Sequence, residues 1–198
     1  FLKDKIEEFI YNELSEGTYK VSKLNPTKLL TWNRFIISFN LLYLDLKNKN
    51  QELANKIYYE LIRATSLGTF IESEFEHHKS GIDKFFEEFD STFENIMKNG
   101  FNPKESIITL ASDGSILNGS HRVATSIFLN KKIYAVETNL NNVVDDYNSL
   151  YKRDVSLEIL DLATIKFIDK SENTFIAFLW PSCNKLVNQN QKIFSNVV

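Results

Sequence analysis

Asp113-Gly114-Ser115-Ile116-Leu117-Asn118-Gly119-Ser120-His121-Arg122-Val123-Ala124 is the stretch on which the reading of this chain turns. It sets two glycines, a hydroxyl, an imidazole and a guanidinium between a strand-like run and a helix-like run. Ile107 to Leu110 and Ser115 to Leu117 read as short strands around an Asp113-Gly114 turn. Arg122 to Leu129 carries a helical pattern, with Val123, Ile127 and Phe128 as its apolar positions. Gly119-Ser120-His121 is therefore predicted to open a helix. The first amides of a helix lack internal acceptors and lie at the positive end of its dipole, so this turn suits an anion such as a phosphate. Arg122 would add a forked cation, and His121 a second donor or a proton carrier. The plainer alternative is an Asp-Gly hairpin with His121 and Arg122 solvated on a helix shoulder. Residue usage favours the anion reading. Only four of the twenty-three basic residues are arginine, which is the residue for bidentate geometry, and one of the three histidines falls inside the motif.

Working outward, the periodicity from Asn102-Pro103 to a strand at Ile133–Glu137 describes a compact α/β unit. The preceding hundred residues read as helical. Lys3–Leu14 has Ile6, Phe9, Ile10 and Leu14 at helical spacing, and Asn25-Pro26 is an N-cap followed by a first-turn proline. Arg34–Lys47 and Gln51–Thr65 form further helices, and Gly68 breaks the pattern. After Ser80-Gly81 an amphipathic helix carries Phe85, Phe86, Phe89, Phe93, Ile96 and Met97, with Gly100 as its stop. Beyond the α/β unit, helices are predicted over Asn141–Tyr151 and Ser156–Asp169, and a strand over Thr174–Leu179 ended by Trp180-Pro181. The expected fold class is α+β, a small mixed sheet extended by an N-terminal helical layer (1–100) and C-terminal helices. The mixed core would span 101–181 and a tail or linker 182–198. The whole reads as one compact domain excised from a longer polypeptide, whose further domains would be its partners.

Composition narrows the function classes. The 198 residues are 43% apolar with sixteen phenylalanines, enough for a sizeable core. A net charge of −3 supplies no global basic field, so a nucleic-acid partner is not expected, whereas a local phosphate pocket and a small-molecule substrate are compatible with it. Cys183 is the sole cysteine, which rules out an internal disulfide and points to a reducing, cytoplasmic setting. No apolar run approaches the ~18 residues of a transmembrane helix.

From Phe85 to Glu137 the order is helix, Asn99-Gly100-Phe101, apolar strand, Asp-Gly turn, Leu117-Asn118-Gly119-Ser120-His121-Arg122-Val123-Ala124, helix, then Asn130-Lys131-Lys132-Ile133. That segment, about a quarter of the chain, resembles the ParB/sulfiredoxin-like superfamily, and most of all its small-molecule kinase branch, which includes free-serine kinases. The resemblance implies that a Gly-x-His-Arg turn binds nucleotide phosphates, with Asn118, Gly119, Ser120, His121 and Arg122 as the binding residues. It also implies ATP or another nucleoside triphosphate, with Mg2+, as cofactors. Asn118 stands where kinase members resembling this chain often carry Asp, and a carboxamide cannot serve as a base. The helical flanks resemble proteins of bacterial surface-polysaccharide gene clusters.

Phosphoryl transfer further needs a carboxylate to orient or deprotonate the acceptor hydroxyl. Glu72-Ser73-Glu74-Phe75-Glu76-His77-His78 offers Glu74 and Glu76 for that role, with a solvated helix face as the alternative. Adjacent His77 and His78 diverge on a helix and do not converge on one metal. Asp113 reads as a turn former. Asp145, beside Asp146, is the candidate magnesium ligand, although consecutive helical acids usually face water. Arg34, within an aromatic stretch, either reaches an anionic substrate or pairs with a core-edge carboxylate. No Gly-x-Ser-x-Gly surrounds Ser120, which argues against acyl transfer. The expected activity is phosphorylation of a hydroxyl on a small metabolite or sugar precursor. In it, His121 and Arg122 stabilise the transferred group and Glu74 or Glu76 orients the acceptor. The alternatives are a non-catalytic nucleotide-binding module of a larger enzyme and an ATP-dependent ligase that activates a carboxylate. A CTP-switched DNA clamp would require a basic DNA-reading domain that this chain lacks.

Overall fold

Nine consecutive buried residues, Ile36 to Leu44, set the centre of the molecule. The computed structural model describes residues 2–72 and 79–172. A helix that is buried all round needs neighbours on every side. Helix α2 (Ile36–Leu46) accordingly packs against α3 (Gln51–Thr65), α5 (Ser120–Phe128) and α7 (Leu157–Lys170). Helix α4 (Ile82–Asn99) lies against α5 and contributes Phe85 and Phe89 to the same core.

Four strands, β1 (Val21–Leu24), β4 (Ile108–Leu110), β5 (Ile116–Asn118) and β6 (Ile133–Glu137), form a mixed sheet in the order β1-β6-β4-β5. β4 and β6 run parallel, with Thr109 opposite Val136, and the outer pairs are antiparallel, with Val21 opposite Val136 and Thr109 opposite Asn118. Successive strand residues face opposite sides of a sheet. Ile108, Leu110, Ile116, Ile133 and Ala135 therefore join the large helical core, while Ile107 and Val136 meet Ile6 and Ile10 beneath α1 (Glu8–Glu13). The sheet is covered on both faces, which accounts for its apolar strands. A two-stranded ladder, β2 (Ile71–Glu72) with β3 (Lys79–Ser80), stands apart from it.

The chain is thus α+β, with seven helices and a four-stranded mixed sheet among the described residues. None of those helices is long and apolar enough to cross a membrane. Three expectations need correction. Helix α1 starts at Glu8 rather than Lys3, because the amides of Lys5 and Ile6 both turn onto the Leu2 carbonyl and Glu7 is extended. Pro26 opens a 3-10 turn (Pro26–Leu29), capped by the Asn25 side chain on the Thr27 amide, rather than an α-helix. Asn141–Tyr151 is helical only as α6 (Tyr147–Lys152). The Asp145 amide is committed to the Asn33 carbonyl at 2.8 Å, and Asp146 caps the helix through the Ser149 amide. The strand expected at Thr174–Leu179, Trp180-Pro181 and the tail lie outside the described residues.

Candidate functional site

Gly119 caps α5 with a left-handed φ of 103°, a conformation that L side chains rarely adopt. A Cβ there would stand 2.5 Å from Ile108 Cδ1 and 3.1 Å from Arg122 Nη2. The close approach seats the first turn of α5 on strand β4. The first bond within this helix is Val123 N–H to the Gly119 carbonyl, at 2.9 Å, so the amides of Ser120, His121 and Arg122 precede the helical ladder.

Asn118, Ser120 and His121 line a cavity of about 540 Å³. That volume is typical of a site for a small molecule or cofactor. Arg34 and Asp145, distant in sequence, line it too, together with Asn139, Asn141 and Glu13 at the C-terminal end of α1. Apolar wall is supplied by Ile36, Leu61, Ile62 and Phe85.

His121 is held from two sides. Its ring stacks on Phe89 with centroids 4.3 Å apart and planes 14° apart, and its Nε2 lies 3.0 Å from the Tyr58 hydroxyl. Tyr58 is buried, and its hydroxyl also lies 3.2 Å from the Phe85 carbonyl, so it bridges α4 and the imidazole. The imidazole is thereby fixed in orientation.

Arg122 sits differently from the expected phosphate fork. Its Nη2 donates to Glu7 Oε1 at 2.9 Å, and its guanidinium lies under the Gly119 turn beside a separate hollow of about 90 Å³. The arginine that reaches the large cavity is Arg34. It is 6% exposed, and its Nη1 donates to Asp145 Oδ2 at 2.9 Å. Burial pushes Arg34 below its ordinary pKa, with Asp145 acting in the opposite sense. The other oxygen of Asp145 accepts from Arg153 Nη1 at 3.4 Å. Both oxygens of Asp145, the candidate magnesium ligand, thus face guanidinium groups. The described residues contain no cluster of three metal-ligating side chains. Glu74 and Glu76, together with His77 and His78, lie outside the described residues.

Asp113 is the turn former its Asp-Gly setting suggests, and it also ties loops together. Its Oδ1 accepts from the Ser115 hydroxyl and amide, and its Oδ2 from Asn142 at 2.6 Å and Asn33 at 3.3 Å. These asparagines adjoin Arg34 and Asn141 in the cavity lining. The Ser115 hydroxyl above all, then the Ser115 amide and Asn142, hold the Asp113 carboxyl below the usual range. A depressed carboxyl pKa contributes stability above the unfolded value and loses it as pH falls through the folded value. Stability measured by urea denaturation should therefore decline below about pH 4, and Asp113→Asn should make that decline shallower.

Sequence reading missed Asn40. It is 1% exposed, lines the cavity from α2, and has no hydrogen-bond partner among the described residues at either Oδ1 or Nδ2. An unsatisfied buried polar group costs about 1–3 kcal/mol. The signal was present as a single carboxamide inside the apolar run Ile36 to Leu44, where buried Asn is uncommon. No protein-family model, no curated protein and no solved structure matches this chain.

Proposed function

We propose that the chain is a nucleotide-dependent phosphotransferase, with ATP or another nucleoside triphosphate as donor and a hydroxyl of a small metabolite or sugar precursor as acceptor. One observation carries this reading: the N-terminus of α5, shaped by Gly119, is adjoined by a cavity of nucleotide-compatible volume that also buries Arg34. The turn's likeness to the Gly-x-His-Arg phosphate loop of ParB/sulfiredoxin-like kinases supports it. In the reaction the acceptor oxygen attacks the terminal phosphorus, the bond to the bridging oxygen breaks, and the nucleoside diphosphate departs. The hydroxyl proton passes to a carboxylate, for which Glu13, Glu74 and Glu76 are the candidates. The Ser120 and His121 amides hold phosphate oxygens, and Tyr58 and Phe89 keep the His121 ring in place. Arg122 supports the turn from beneath, through Glu7.

Ser120→Asp separates binding from folding. An acidic residue in the first turn suits the helix dipole but repels a phosphate at the same amides. ATP affinity measured by calorimetry should fall at least about tenfold, equivalent to about 1.4 kcal/mol, with no loss of thermal stability. Unchanged affinity rejects the site.

Asn118 in place of an acid favours a second reading, a nucleotide-binding module without turnover. ATP binding with no phosphorylated product across a panel of hydroxyl acceptors would support that reading instead.

A further inference from the structure

We infer that Asn40 is the base-reading contact of the cavity, taking the adenine edge of a nucleotide whose phosphates lie at the α5 turn. The inference deepens the proposed function and rests on it. The Asn40 carboxamide is buried, and both of its polar atoms lack partners among the described residues. Arg34, which lines the same cavity, also keeps its buried Nε without a partner among the described residues.

The chemistry of the pair of amide atoms selects the ligand group. A phosphate or carboxylate could use the Nδ2 donors but would be repelled by Oδ1. A group that satisfies both atoms must present a donor and an acceptor side by side in one plane. Adenine does so with its 6-amino group and N7, which an Asn carboxamide meets with two parallel hydrogen bonds. Cytosine offers a like pair with its 4-amino group and N3, and it is the larger face of the purine against the apolar wall that favours adenine. The surroundings suit the rest of the ring. Ile36 lies one helical turn before Asn40 on the same face of α2, and Leu61, Ile62 and Phe85 add apolar wall from α3 and α4. A flat ring with apolar faces and a polar edge matches such a lining. The two ends of the cavity's chemistry are then distinct: the carboxamide of Asn40 for a base, and the helix amides with Arg34 for phosphates.

The test titrates the full chain and its Asn40→Leu and Asn40→Asp variants with adenosine, cytidine, inorganic tripolyphosphate and ATP in a calorimeter. Adenosine is expected to bind the parent chain more tightly than cytidine and to lose at least about tenfold in affinity, equivalent to about 1.4 kcal/mol, in both variants. Tripolyphosphate affinity is expected to stay the same in the Leu variant and to fall in the Asp variant, whose carboxylate faces the same cavity as the phosphates. Leu removes the orphaned polar atoms at similar volume, so that variant should be no less heat-stable than the parent. Asp keeps the side-chain shape but lacks the N–H donors, which provides the comparison if Leu perturbs the core. The inference is overturned by adenosine affinity unchanged in the variants, by failure of adenosine to bind at millimolar concentration, or by cytidine binding as tightly. Adenosine binding with no affinity for tripolyphosphate, and no gain for ATP over adenosine, would reject the phosphate site and leave the Asn40 assignment standing.

Discussion

Asp145→Ala is expected to destabilise the protein by about 3–5 kcal/mol, the cost of leaving a buried charge without its partner. Arg34 is 6% exposed and already shifted by desolvation, and Asp145 is the carboxylate that compensates it. Without that carboxylate the guanidinium must either remain unpaired in the core or open the α2 entry to water. For a chain of this size each kcal/mol lowers the melting temperature by about 2–4 °C, so a fall of about 10 °C is expected by calorimetry. The reciprocal change should be much milder. Arg34→Met replaces the guanidinium with an apolar chain of similar length, and Asp145 keeps Arg153 at 3.4 Å on its other oxygen. Equal losses from the two substitutions would show that burial of the pair is not what holds this region.

Gly119→Ala should rank next, at about 2–4 kcal/mol, combining left-handed backbone strain with overpacking. At φ 103° the added methyl would meet Ile108 Cδ1 at 2.5 Å and the Arg122 guanidinium just beyond 3 Å. Ile108 is a fully buried strand residue and Arg122 is tied to Glu7, so neither can yield cheaply. Gly114→Ala is the control. That glycine also has a positive φ, 79°, but nothing lies within 4 Å of its missing Cβ, so only the strain of about 1–2 kcal/mol remains. Chemical denaturation of the two variants measures the difference directly. Because Gly119 also shapes the α5 entrance, its variant should lose ATP affinity, whereas the Gly114 variant should retain it.

Elements whose cause is local are legible in the sequence alone. Helix α3 occupies Gln51–Thr65 as its periodicity predicts, with the Asn50 side chain capping the Leu53 amide. Strand β6 covers Ile133–Glu137 as its apolar run predicts, and Gly100 ends α4 with a φ of 74°. Gly119 opens α5 because a strand, a glycine and a helical pattern follow one another within a dozen residues. Strand β1 is not legible in this way. Its four residues, Val21-Ser22-Lys23-Leu24, are too few to show a period, and they become a strand by pairing with β6 more than a hundred residues later. The same holds for the segment before α6, where the Asn33 carbonyl claims the Asp145 amide and stops a helix that the acidic and polar pattern suggests.

The sequence by itself determined the α+β class, the glycine-opened helix and the scarcity that singled out Arg34, Arg122 and His121. Tertiary structure decided which of them face a common cavity. Glu7 draws Arg122 beneath its own turn from 115 residues away, and Asp145 anchors Arg34 at the cavity from 111 residues away. Spacing along a chain carries helix caps and turns, because those are made by neighbours. A guanidinium pairs with whichever carboxylate the packing brings to it, and for Arg34 and Arg122 the fold makes that choice.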